Sequence, residues 1–320
     1  MIVSRKEDHI RICLEEEIEA GHTGFEELAL EPRIPTIQKK NISLKTKFLG
    51  HEFRYPFFIC GMTGGCALGK KVNSNLASAV QNLGIGMGVG SQRAAIEDPS
   101  LEDTYSVVRR RAPDAFIVGN LGVGDLRKYG EGEIAKVVDM IRADALAVHF
   151  NAVQEAVQPE GETNFSGVFA NLKNLCGSLK IPVIAKETGS GFSRIDATNL
   201  KDAGVSAIDI GGWGGTNFAL VEHFRSKGRL GELFSHWGIP TYEGLQQCRG
   251  ILPLIASGGI RNGLDAAKAL SAGADLVGFA KPALKPATES AAEVEKTVLN
   301  LAEELKIAMF LTNSTRVSEL

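Results

Sequence analysis

Eight short apolar runs, each closed by glycine, asparagine or another polar residue, recur along this chain of 320 residues. They occupy residues 56–60 (PFFIC), 85–89 (IGMGV), 115–118 (AFIV), 145–148 (ALAV), 182–185 (PVIA), 207–210 (AIDI), 253–256 (PLIA) and 276–279 (LVGF). Counted from first residue to first residue, the steps are 29, 30, 30, 37, 25, 46 and 23. Most steps leave room for one helix and two loops. Several intervening stretches carry helical spacing: residues 73–83 are apolar at 76, 79, 80 and 83, and 134–141 and 263–270 behave alike. Continuous apolar strands alternating with amphipathic helices describe a parallel sheet covered by helices. Eight such units predict an α/β fold, a closed (β/α)8 TIM barrel in preference to an open doubly wound sheet.

Two stretches lie outside that count. Residues 9–19 read as a helix, and residues 41–55 alternate around Leu49-Gly50 as a hairpin, placed to plug the bottom of the barrel. From Ala287 the chain is helical, with Leu299, Leu301, Leu305 and Ile307 as packing positions. The expectation is one domain over 1–320: an N-terminal helix and hairpin extension (1–55), the barrel (56–286) and C-terminal helices (287–320). A net charge of −3 argues against a general nucleic-acid binder, which needs a dense basic face. No apolar run is long enough to cross a membrane. Charge begins at Arg5, so no signal peptide is expected and the cytoplasm is the default compartment. Five cysteines without CxxC or metal-like spacing read as free thiols.

In a barrel, chemistry sits at the C-terminal ends of the strands. The seventh run ends in Ser257-Gly258-Gly259-Ile260-Arg261 and the eighth in Ala280-Lys281. Glycines there let backbone N–H groups approach an anion, which marks a phosphate site. Lys186 ends the fifth run, where a buried lysine needs an anionic or electron-rich partner, with Glu187 as the plainer one. His149 and Asn151 end the fourth run two residues apart and so face one side, with Gln154 and Glu155 following. Glu155 suits Mg2+, which binds through one or two carboxylates plus substrate phosphates. Arg5-Lys6 and Ser91-Gln92-Arg93 add cations and donors. The residues describe two anion sites, one glycine-rich for a cofactor and one basic for a phosphorylated substrate.

These residues together resemble the type 2, flavin-dependent isopentenyl-diphosphate isomerases. The likeness runs from Arg5 to about Pro282 through RKEDHI (5–10), GMTGG (61–65), GSQR (90–93), HFNAVQEAVQPEG (149–161), KETGSG (186–191), GGWGGT (211–216), WGIPT (237–241) and ASGGIRNGLDAAKAL (256–270). The resemblance implies interconversion of isopentenyl and dimethylallyl diphosphate in isoprenoid biosynthesis, with FMN, Mg2+ and a reductant such as NADPH. It implies that reduced FMN itself is the acid/base. It assigns flavin contacts to Met62, Thr63, Gly64, Ser91, Asn120, Lys186, Thr216, Gly258, Gly259, Ile260, Ala280 and Lys281. It assigns the substrate to Arg5, Lys6, Gln92, Arg93 and Gln154, with His149 and Asn151 lining the same pocket, and Mg2+ to Glu155. It implies a homo-oligomer, a tetramer or octamer.

The alternative is an FMN-dependent oxidoreductase of the 2-hydroxy-acid oxidase or inosine-monophosphate dehydrogenase class. The dehydrogenase needs a nucleophilic cysteine after strand 6, where this chain has GGWGGTN. The oxidase needs a histidine three residues before an arginine ahead of strand 7. His223 precedes Arg225 by two, and His236 has no such partner. A non-catalytic barrel would have no use for the polar set at 149–155.

Overall fold

A computed structural model describes residues 2–320. Eight parallel strands close in chain order: β1 Phe57–Ile59, β2 Gly86–Gly88, β3 Phe116–Gly122, β4 Ala145–Phe150, β5 Val183–Glu187, β6 Ala207–Asp209, β7 Leu254–Ala256 and β8 Leu276–Phe279. β8 returns to β1 through Val277↔Phe57, Gly278↔Phe58 and Phe279↔Ile59, which completes the barrel. Every apolar run of the sequence forms a strand. The strands are buried on both faces, with Ile59, Met87, Ile117, Leu146 and Ile184 at most 1% exposed.

Three strands run past their apolar segments. β3 continues through Asn120, β4 through His149, and β5 through Lys186 and Glu187. Ladder register holds these polar tails, pairing Asn120 with Ala147 and His149 with Lys186. His149 and Lys186, expected at strand ends, therefore project from the rigid sheet.

The hairpin plugs the N-terminal end. Strands Thr46–Phe48 and His51–Phe53 pair antiparallel across Leu49 (φ 45°) and Gly50 (φ 84°). Two consecutive left-handed residues suit a type I′ turn, which matches strand twist. Phe48 and Phe53 pack edge-on against Phe116, the first residue of β3, with centroids 6.5 and 5.7 Å away. The opposite end stays open.

The N-terminal helix, α1, spans Ile2–Glu15, so it starts and stops earlier than the expected 9–19. Glu15, Glu16 and Glu17 in succession oppose the negative end of the helix dipole there, which favours an early stop. α1 docks on helix α2, Phe218–Ser226, through Ile12, Ile18 and Val221. The C-terminal helix, α3, spans Ala291–Leu311 and begins at the Ser290 hydroxyl, which accepts from Glu293 N at 3.2 Å. It buries Val294, Val298, Leu301, Leu305 and Ala308. Leu299 and Ile307 are not packing positions: they are 45% and 44% exposed, because two residues turn roughly 200° round a helix from Leu301 and Leu305. No described helix is long and apolar enough to cross a membrane.

Candidate active site

The long steps in the sequence correspond to elements built over the open end. Between β4 and β5 lies a six-residue helix, Ala152–Val157, which carries Gln154 and Glu155. Between β6 and β7 lie α2 and two further helices, Arg229–Leu233 and Thr241–Cys248. α1, the 152–157 helix and Phe218 of α2 help to line a cavity of about 1960 Å3, open mouth included, at the C-terminal ends of the strands.

The loops after β6 and β7 interlock. Gly258 (φ 106°) and Gly259 (φ 75°) hold backbone conformations that favour glycine, and a side chain on Gly258 would run into the Gly212 backbone and the Thr241 hydroxyl. A side chain on Gly259 would meet Thr23, in the strap that follows α1, as well as Gly214. The Gly258, Gly259 and Ile260 N–H groups have no acceptor among the described residues. Arg261 donates to Gly214 O and Gly259 O, and Glu19 lies 3.4 Å from both Arg261 and Lys281. After β1, the strand paired with β8, the Thr63 hydroxyl is buried without a partner among the described residues. Unused donors on a bare glycine backbone beside two cations fit a phosphate, and the orphaned Thr63 hydroxyl fits a polar ring edge.

A buried polar group holds the centre. Lys186 Nζ lies 3.0 Å from Asp209 Oδ2 and donates to Glu187 O at 3.1 Å. The Ser257 hydroxyl donates to Asp209 Oδ1. Glu187 does not pair with Lys186 through its side chain; its Oε2 accepts the N–H groups of Thr188, Gly189 and Ser190. Burial pushes the Glu187 carboxyl up to about 7, against the pull of those three donors. His149 Nδ1 lies 2.7 Å from Asn120 Oδ1, which as an acceptor takes the Nδ1 proton and leaves Nε2 a lone-pair acceptor. Burial, and then the cations Lys6, Lys186 and Arg93, push this imidazole down to about 3, so it is neutral at physiological pH.

The basic face comes from two places, α1 and the stretch after β2. Lys6 on α1 donates to Ser91 O at 3.4 Å, and Arg93 lies 3.7 Å from Asp125. Burial, then Arg5 and Arg93, push the Lys6 ammonium down to about 8. Arg5 reaches Glu160 at 3.7 Å. Glu155 accepts from Asn151 Nδ2 at 2.9 Å and from Glu162 N at 2.7 Å. Gln154 Nε2 donates to Glu222 Oε1 at 3.0 Å, an oxygen that also lies 3.0 Å from His9 Nε2.

Of the residues singled out in the sequence, Arg5, Lys6, Arg93, His149, Asn151, Gln154, Glu155, Met62, Thr63, Ser91, Asn120, Lys186, Thr216, Gly258, Gly259, Ile260, Ala280 and Lys281 all line the cavity. Gln92 and Gly64 do not. The Gln92 side chain is fully buried behind β3, accepting Asn120 N at 3.0 Å and donating to Val137 O at 2.9 Å. It props Asn120, and through it His149. Gly64 lies against the Tyr105 ring, where a side chain would clash. His9, Glu222 and Asp209 escaped the sequence reading. A signal existed for Asp209, the one charge in an otherwise apolar strand, which burial makes costly unless paired. His9 sits within RKEDHI, a motif read only for its first two cations. Nothing marked Glu222 among the 38 acidic residues.

The FMN-dependent dehydrogenase family matches residues 12–107 and 143–320. Among solved structures, the recombinant flavin-binding domain of baker's yeast flavocytochrome b2 superposes with a TM-score of 0.71 at 17% identity, over 99% of this chain and 77% of that one. A mandelate oxidase mutant with a monooxide FMN adduct superposes at 0.63 and 16%, over 98% and 90%. At such identity the likeness is one of fold. Fold, phosphate cradle and family match define an FMN-dependent (β/α)8 barrel. Two curated proteins are much nearer in sequence, both named isopentenyl-diphosphate delta-isomerase. That of Methanoregula boonei is 48% identical over 99% of this chain and 91% of its own length; that of Archaeoglobus fulgidus is 47% identical over 99% and 93%. The chain belongs to the isopentenyl-diphosphate delta-isomerase family.

Proposed function

We propose that this protein interconverts isopentenyl and dimethylallyl diphosphate. The observation that carries this reading is one cavity lined both by the glycine-rich loops after β6 and β7 with Lys281 and by the cations Arg5, Lys6 and Arg93, which we read as two anion sites. The cradle and the Thr63 hydroxyl fit FMN, with Ala280 and Lys281 beside the phosphate and Met62, Ser91, Asn120 and Thr216 along the ring and ribityl wall. Bound and reduced, FMN supplies the acid and base for moving the double bond.

The chain's own residues bind, orient and desolvate. Arg5, Lys6 and Arg93 hold the diphosphate, a remote handle whose binding energy orients the alkene. Glu155, braced by Asn151 and Glu162 N, would offer a single carboxylate to Mg2+, a hard cation suited to binding one carboxylate together with a substrate phosphate. No cluster of three or more acidic, histidine or cysteine ligands exists among the described residues, which suits a metal arriving with its substrate. Lys186 gives a fixed positive charge to the cofactor's electron-rich edge. His149 Nε2 accepts a hydrogen bond, while Gln154, tied to Glu222, keeps its carbonyl oxygen toward Asn151 at 3.3 Å. α1 shields the alkene from water. NADPH acts as the reductant, and the working form is a homo-oligomer in the cytoplasm.

The oxidase alternative has nothing in the cavity to support it. His223 Nδ1 is 3.0 Å from Gly228 O, and the only histidines among the cavity-lining residues are His9 and His149. The test is product formation from isopentenyl diphosphate with FMN, NADPH and Mg2+, each omitted in turn. Turnover should vanish without FMN or Mg2+. Undiminished turnover without FMN contradicts the reading.

A further inference from the structure

The charge at the centre of the cavity is a pair, and its second member lies behind the wall. Asp209 ends β6, is 1% exposed, and is paired in register with Lys186 on β5. A lysine ammonium has three donors. One points to Asp209 Oδ2 and one to Glu187 O. The third is left for the cavity that Lys186 lines. Asp209 is itself fixed, because Ser257 donates to Oδ1 while its hydroxyl oxygen accepts Gly211 N at 3.0 Å. One hydrogen-bonded chain thus runs from the loop after β6, through Ser257 beside the glycine cradle, to the ammonium on β5.

We propose that Asp209 is a positioning residue that keeps Lys186 a cation and aims its free N–H into the cavity. The groups facing Lys186 are Cys60 from β1, His149 from β4, its neighbour Glu187 and Asp209. His149 is neutral, burial pushes the Cys60 thiol up to about 12, and the Glu187 carboxylate is engaged by backbone donors, so Asp209 is the counter-charge. Burial alone lowers a lysine's proton affinity, and the Asp209 charge more than reverses this. The pairing itself rests on the geometry; that the free N–H meets a flavin rests on the function proposed above.

The test is competitive acetylation of the full-length protein with acetic anhydride across pH 6–10, Lys186 being read by mass spectrometry against the exposed Lys47. Only the neutral amine attacks the anhydride, forming the amide and releasing acetate and a proton. In Asp209→Asn, Lys186 labelling at pH 8 should rise about tenfold or more, since each unit of lowered pKa exposes roughly ten times more free amine. Ser257→Ala, which keeps the charge and loosens its aim, should give a smaller rise and covers the case in which Asp209→Asn does not fold. Lys186 labelling at the native rate in the folded variants overturns the proposal. Added FMN should protect Lys186 in native and variant protein alike. If it does not, the cofactor reading fails while the Asp209 result stands or falls by itself.

Discussion

Lys6 shows how far a single residue's chemistry depends on where the fold puts it. In the sequence it is half of a terminal charge pair; in the structure burial, and then its neighbours Arg5 and Arg93, lower its pKa to about 8. Its ammonium is therefore available to a diphosphate below that pH and fades above it. Lys6→Ala removes a charge-assisted contact of about 1.5–3 kcal/mol, and should raise KM roughly 10- to 100-fold with a smaller effect on kcat. KM in the native enzyme should climb above pH 8, and Lys6→Arg, always charged, should flatten that climb. His149 makes the converse case. Its folded value near 3 lies below the ordinary 6.5, so between these the unfolded chain binds more protons than the folded one. Its stabilising contribution is complete above pH 6.5 and declines as pH falls toward 3. A pH series of urea unfolding should show that slope, and His149→Gln should reduce it. Of the three groups the sequence reading missed, Asp209 and His9 sat within motifs or runs that were read for something else. Glu222 becomes meaningful only when α2 packs beside Gln154 and His9, a contact between positions 213 and 68 residues apart in the chain.

At the scale of elements, strand count and order were legible because a parallel strand buried on both faces must be apolar throughout. Strand length was less legible. β3, β4 and β5 extend into polar sequence, held by their neighbours' ladders, which no local pattern encodes. The hairpin was legible from Leu49-Gly50, since a two-residue turn of this twist needs left-handed residues. Glycine itself carried two meanings that sequence alone could not separate. Gly258 serves the cradle, whereas Gly64 accommodates Tyr105 and Gly259 makes room for the Thr23 strap as well. A pair of substitutions separates turn from cradle. Gly50→Ala meets open space and should cost only the strain of a left-handed alanine, about 1–2 kcal/mol, with FMN affinity unchanged. Gly258→Ala meets backbone and should abolish FMN binding, as followed by flavin fluorescence. Equal FMN affinity in the two variants would contradict the cradle assignment.

For the whole molecule, the architecture divides labour between its ends. The aromatic plug of Phe48, Phe53 and Phe116 seals one end, and the open end collects polar groups from β1 to β8 and from α1. The strap after α1 runs directly over the phosphate loops, with Asn217 N donating to Ile18 O at 2.8 Å and Glu19 beside Arg261 and Lys281. The proposed cofactor cradle and the cations proposed to face the substrate are thus joined by one continuous piece of chain. On the proposed reading, a flavin lies between the glycine cradle and the second cationic site, and the chemistry is set by what that second site holds. The most direct measurement of that is deuterium uptake. With FMN, NADPH and Mg2+ in D2O, the protein should carry solvent deuterium into isopentenyl and dimethylallyl diphosphate as the two interconvert, and should leave lactate and inosine monophosphate unoxidised. Oxidation of either control, with no deuterium in the diphosphates, would contradict the account.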